Sequence, residues 1–177
     1  MKTLVIHPSD PTTDVLKVIY EDKDWTVISD PMFPKSHLKL AIKRHDRIIM
    51  MGHGTPHGLI AFSNPIKKTG LRYVIDSNLL YLLREKELIG IWCDCDQFFN
   101  KHDLKGLNTG MIISEWDEAK YFLSEEFTQN QIDESNILFS SVMKEIIEKD
   151  NDLSLVDNYK IDENSIVEFN RKRIYLK

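Results

Sequence analysis

Arg47 to Phe62, R-I-I-M-M-G-H-G-T-P-H-G-L-I-A-F, constrains the fold of this chain more than any other stretch. The apolar run Ile48 to Met51 stops at Gly52-His53-Gly54, and a second apolar run begins at Gly58 and Leu59. His53 is thereby left on a tight loop at a strand end, where α/β proteins carry their chemistry. A further strand, Leu88 to Trp92, runs into Cys93-Asp94-Cys95-Asp96. One histidine loop and one thiol loop are expected at the ends of two core strands.

The elements leading to His53 alternate. Thr3 to Ile6 reads as a short buried strand broken by Pro8 and Pro11. Thr12 or Thr13 can cap a helix that carries Val15, Leu16, Val18 and Ile19 on one face. Trp25 to Ser29 is a second strand, and Ser36 can cap a helix with Leu38, Ala41, Ile42 and His45 at i, i+3, i+4 and i+7. Strand, helix, strand, helix, strand implies a parallel sheet, because each parallel crossover needs a helix-sized connection.

After His53, Gly58 to Phe62 and Leu71 to Ile75 read as a small antiparallel hairpin. Asp76 or Ser77 caps a helix with Leu79, Leu80, Leu82 and Leu83, and Leu88 to Trp92 is the fourth strand. Gly106 to Gly110 is turn-like, and Met111-Ile112-Ile113 is the expected fifth buried strand. Ser114 with Asp117 suggests a capping box for a helix over 115–123. Asn136 to Lys149 has the apolar spacing of a covering helix, Asp150 to Asn164 reads as a loop, and Ser165 to Leu176 as an edge strand or a hairpin around Asn170-Arg171. The expected fold class is α/β with a mostly parallel sheet covered by helices. At 177 residues and 42% hydrophobic content it is expected to be one domain spanning 1–177.

Charge and cysteine usage narrow the partners. A net charge of -5 gives no field to gather phosphate backbones, so nucleic acid is disfavoured. The N-terminal apolar run is too short for a signal peptide and no stretch approaches a membrane span, so no membrane partner is expected. Two cysteines one residue apart cannot readily bridge each other. Free thiols point to a cytoplasmic setting. Neither a phosphate loop nor a dinucleotide fingerprint is present, so no cofactor is implied. Oligomeric state is not legible.

A cysteine nucleophile needs a base, which a histidine on a neighbouring strand end supplies, and backbone N–H groups near Gly54 are suited to holding an oxyanion. Apolar residues, then His-Gly-x-x-x-Gly with aliphatic residues following, then about forty positions later a second buried strand ending in a cysteine: this resembles the caspase and legumain clan of cysteine peptidases. His53-Gly54-Thr55-Pro56-His57-Gly58 is most similar to the legumain form of the histidine block. The resemblance covers mainly Thr3 to Gln97 and implies a three-layer α/β/α sandwich and a peptide or protein substrate. It also implies His53 as general base and acid, Gly54 as oxyanion donor and Cys95 as nucleophile, since the clan puts two residues between strand and thiol.

The chain departs from the clan in flanking the thiol with Asp94 and Asp96, and carboxylates beside a thiol raise its pKa. Cys93 is therefore the alternative nucleophile, and a catalytically silent relative that works as a binding domain is the alternative function. If Met111 to Ser114 follows the nucleophile in the sheet, then Glu115, Trp116 and Asp117 are candidate substrate contacts, with acids that suit a basic side chain; the competing reading is an ordinary first helical turn. Two further readings use the same stretch. His53, His57, Cys93, Asp94, Cys95, Asp96 and His102 offer ligands for zinc in a metal-dependent hydrolase, although their spacing matches no common zinc site. Asp94-x-Asp96 after a buried strand resembles the phosphatase loop of the haloacid dehalogenase class.

Overall fold

The computed structural model describes residues 1–177. Its frame is a six-stranded sheet built from β1 (Thr3–Ile6), β2 (Thr26–Ile28), β3 (Arg47–Met51), β7 (Glu87–Ile91), β8 (Gly106–Thr109) and β9 (Ile174–Leu176). The spatial order is β2-β1-β3-β7-β8-β9, and every pairing is parallel except that of β9 on β8.

Strand alternation divides the core in two. Leu4, Ile6, Ile48, Met50 and Leu88 pack with α1 (Lys35–Arg44), α2 (Leu80–Leu83) and α3 (Cys95–His102) through Leu38, Ile42, Leu83, Phe98 and Phe99. Their sequence neighbours Val5, Ile49, Met51, Ile89 and Ile91 point the other way. They meet the 3₁₀ helix Pro11–Ile19 and the long helix α5 (Gln129–Glu148) through Leu16, Ile19, Phe139, Met143 and Ile146. Each fully buried aliphatic side chain contributes roughly 1.5–3 kcal/mol, and strands apolar at every position are what a sheet covered on both faces requires.

Between β3 and β7 the chain leaves the sheet. β4 (Gly54–Thr55), β5 (Gly58–Asn64) and β6 (Thr69–Tyr73) form a small antiparallel sheet of their own, the expected hairpin with slightly different bounds. Asp76 then accepts from Asn78 N–H and opens the turn Ser77–Leu79 that leads into α2.

Several expectations are corrected. The fifth strand is Gly106–Thr109, not Met111–Ile113. Its Gly and Asn read as a turn, yet the polar side chains are satisfied on backbone: Asn108 donates to Gly106 O and Thr109 Oγ1 to Trp92 O. Gly106 lies so close to β7 that a Cβ there would come within 2.0 Å of Leu88 O. Met111–Ile113 lies off the sheet, and the Asn170 side chain takes both backbone groups of Ile113 in place of a neighbouring strand. It accepts from Ile113 N–H at 2.7 Å and donates to Ile113 O at 2.8 Å.

Ser165 to Arg171 is a helix, α6, rather than an edge strand, because Asn164 caps it by accepting from Ile166 and Val167 N–H; only Ile174–Leu176 joins the sheet. Helix α5 begins at Gln129, a full two turns earlier than the apolar spacing indicates, behind a Thr128–Gln131 capping box. The segment expected as a loop at 150–164 includes the 3₁₀ turn Leu153–Asn158. Helix α4 (Trp116–Phe122) is capped not through Asp117 but through Glu118, whose carboxylate accepts from Ser114 and Glu115 N–H. The first helix is 3₁₀ and capped by Asp10, and α1 starts at Lys35 without a Ser36 cap. No helix is long and apolar enough to cross a membrane.

Candidate active site

β3 and β7 are parallel neighbours with Met51 opposite Ile91, and the ladder extends one step further through Gly52 N–H to Ile91 O at 3.0 Å. Ile49, Met51 and Ile89, Ile91 all face α5. Two residues past each strand end, on that same face, come His53 and Cys93. Both line one cavity between the 3₁₀ helix and α5, together with Thr12, Ile112 and Phe139. The cavity measures about 50 Å³.

Cys95, expected as the nucleophile, does not reach it. Asp94 turns left-handed (φ 63°) and starts α3, so Cys95 becomes the first residue of that helix on the opposite face of the sheet. There it is 0% exposed among Trp92, Phe98 and Phe99. Its sulfur lies over Gly90, where an added Cβ would meet Sγ at 2.3 Å. Burial pushes its thiol well above the ordinary cysteine value. Of the two sulfurs, the one the structure brings to His53's cavity is Cys93.

The imidazole of His53 is held from the loop after β1. Its Nε2 is 2.8 Å from Thr12 Oγ1 and 3.6 Å from Asp10 Oδ2. Thr12 Oγ1 donates its one proton to Asp10 Oδ1 at 2.8 Å, so the hydrogen-bond network assigns Nε2 of His53 as the donor to Thr12 and leaves Nδ1 as the basic nitrogen. Asp10 is buried, and its Oδ2 has no hydrogen-bond partner. Its backbone is fixed too: Thr13 Oγ1 donates to Asp10 O, which makes His7 Nε2–H the donor to Thr13 at 3.0 Å and His7 Nδ1 the acceptor from Tyr20 O–H. Burial holds His7 near pKa 4, in its neutral form.

Cys93 is a protonated thiol at rest. Burial, then the carboxylate of Glu118 and those of Asp94 and Glu115, push it up to about 12. Its Sγ–H donates to Ile112 O at 3.6 Å.

Gly54 lies outside the cavity wall, and what demands glycine there is Trp92: a Cβ would come within 1.9 Å of the indole, whose Nε1 donates to Thr55 O. His53 O accepts from Ile60 N–H, and Gly54 pairs with Leu59 in the antiparallel ladder. Residues 53 and 55 are thus the hydrogen-bonded positions, and the Gly54 N–H points away from β5.

Glu115, Trp116 and Asp117 do not line the cavity; Ser114 does. Glu115 pairs with Lys68 at 3.3 Å, and Trp116, 45% exposed, packs against Phe127 in a tilted pair with ring centroids 4.6 Å apart. No group of three or more His, Cys, Asp or Glu side chains converges to hold a metal ion, because Cys93 and Cys95 lie on opposite faces of the sheet.

Sequence reasoning missed Asp10, Thr12, Thr13 and Asn136. The signal for the first was present in Asp10-Pro11, an N-cap followed by proline at the first helical position. Nothing in the sequence placed that turn beside His53, which follows from β1 and β3 being neighbours in a parallel sheet. No protein-family model matches the chain, and no curated protein matches it.

Proposed function

We propose that this chain is a cysteine peptidase of the caspase and legumain type, a three-layer α/β/α domain whose dyad is His53 and Cys93. The observation that carries the reading is that the histidine after β3 and the cysteine after β7 share one cavity at the carboxyl ends of adjacent parallel strands. Free thiols fit a reducing, cytoplasmic setting.

In this reading Nδ1 of His53 takes the Sγ proton as sulfur bonds to the peptide carbonyl carbon. The carbonyl electron pair moves to oxygen, where the outward N–H of Gly54 is available as a donor. The C–N bond then breaks, its electrons go to nitrogen, and His53 returns the proton to the leaving amine. Water, deprotonated by the same imidazole, hydrolyses the thioester. Asp10 and Thr12 orient the ring, and Asp10 Oδ2 is the counter-charge for the imidazolium that forms.

A second reading, a silent binding domain of the same fold, is favoured by one observation: the Cys93 thiol, pushed up to about 12, donates to Ile112 O instead of facing a base. Peptidyl acyloxymethyl ketones, which label a cysteine only through the catalytic geometry, separate the two. The peptidase reading expects mass addition at Cys93, absent in His53→Ala and retained in Cys95→Ala. Absence of labelling by any peptide in the set, or equal labelling in His53→Ala, leaves the binding domain.

A further inference from the structure

We infer that the cavity beside Cys93 is a specificity pocket for a small uncharged side chain, and that the substrates are peptides with an alanine- or valine-sized residue at the cleaved bond. The substrate assignment rests on the peptidase reading above. The pocket itself does not.

No Asp, Glu, Lys or Arg lines the cavity. Its apolar walls are Val15 and Leu16 from the 3₁₀ helix, Ile91 from β7, Ile112 and Phe139, and Thr12, Thr13, Ser114 and Asn136 add polar groups without fixed charge. A charged group entering it loses water and meets no opposite charge, which is strongly unfavourable. The nearby carboxylates do not compensate. Glu115 is paired with Lys68, Glu118 accepts from the Ser114 hydroxyl and from two backbone N–H groups, and Asp10 is outside the lining, bonded to Thr12 and beside His53, which do line it.

Size sets the second limit. An apolar cavity of roughly 150 Å³ takes up benzene, and this one, at about 50 Å³, has a third of that space. Two or three heavy atoms fill it, while aromatic and long basic side chains exceed it. Because His53 and Cys93 form part of the same wall, a side chain seated there brings its carbonyl to the sulfur.

Val15 is half-buried, so it can be changed without emptying the core. The test follows the methyl resonances of Val15, Leu16, Ile91 and Ile112 while the N-acetyl N-methylamides of Ala, Val, Phe, Asp and Arg are titrated. Cleavage of matching peptidyl coumarins is measured in parallel on the same protein. Saturable shifts are expected for Ala and Val at least tenfold tighter than for Phe, Asp and Arg, with cleavage following the same order. Val15→Phe should lose both by tenfold or more, and Val15→Ala should move the optimum toward larger residues.

Equal or tighter binding of Phe, Asp or Arg, or no saturable shift with Ala or Val, overturns the pocket. Cys93-dependent cleavage without the small-residue preference overturns it also, while keeping the peptidase. Selective binding with no Cys93-dependent cleavage keeps the pocket and overturns the assignment of its occupant as substrate.

Discussion

Asp10 Oδ2 lies 3.6 Å from His53 Nε2, buried and without a hydrogen-bond donor of its own. In the peptidase reading this unpaired carboxylate oxygen beside Nε2 balances the positive charge the imidazole gains when Nδ1 takes a proton. Asp10→Asn retains an oxygen to cap the 3₁₀ helix but removes the charge. Its unfolding midpoint should therefore stay within a few degrees of the wild type, whereas Cys93-dependent hydrolysis should fall on the order of tenfold or more. Asp10→Ala should in addition lose about 1 kcal/mol with the cap. A thermal melt and a kcat measurement on both variants check this, and an unchanged kcat in Asp10→Asn removes Asp10 from the site.

The two thiols should differ in access while both resist simple alkylation. With Cys93 pushed up to about 12 and the Cys95 thiol also raised by burial, iodoacetamide should react slowly with native protein at pH 7.5. The Cys93 rate should climb about tenfold per pH unit through pH 9.5 without levelling, because the thiolate fraction does. Cys95 should react only on unfolding, being enclosed by Phe98 and Phe99. Peptide mass spectrometry across pH measures both. A plateau below pH 9 for Cys93 would show a resting thiolate and contradict the structure.

His7 should make stability depend on acid. Burial lowers its pKa from 6.5 to about 4, so the unfolded chain binds a proton there more readily than the folded one. The associated stability is fully present above pH 6.5 and drains away as pH falls from 6.5 toward 4, on the order of 3 kcal/mol in all. Urea titrations at pH 7 and pH 4.5 should show a smaller difference for His7→Gln than for wild type. The same slope in both proteins would assign the acid sensitivity elsewhere.

Asn170 should be worth more than its neighbours on α6. Its amide serves Ile113 N–H and O and also donates to Tyr159 Oη at 3.1 Å. Asn170→Leu leaves the two Ile113 groups buried and unpaired, which costs about 1–3 kcal/mol for each group. Denaturant unfolding should show the loss, and amide exchange at 111–114 should accelerate. Because Ile112 and Ser114 line the cavity, Cys93 should also alkylate faster.

Much of the frame was legible because it rests on local rules. Ile48 to Met51 and Leu88 to Ile91 are apolar at consecutive positions, which only a sheet covered on both faces tolerates. Gly106–Thr109 was misread because Asn108 and Thr109 satisfy their polar groups on backbone, a pairing that composition does not reveal. Helix α6 was missed although Asn164 caps it, since seven residues hold too few turns for the helical period to stand out.

The sequence by itself determined that a histidine and a thiol terminate two buried strands, because apolar runs and the residues that end them are local properties. The choice of sulfur came from the structure: alternation alone keeps Cys93 and Cys95 on one face, and the left-handed turn at Asp94 sends Cys95 into α3 on the other. Tertiary structure alone decided that β1 lies beside β3, and so that Asp10 and Thr12 reach His53 across 41 or more positions of chain. It alone decided that Val15 and Phe139 close the cavity next to Cys93. Those contacts depend on strand order and on helices docking over the sheet, and the energy that fixes them is spread across the whole core, not encoded in any one segment.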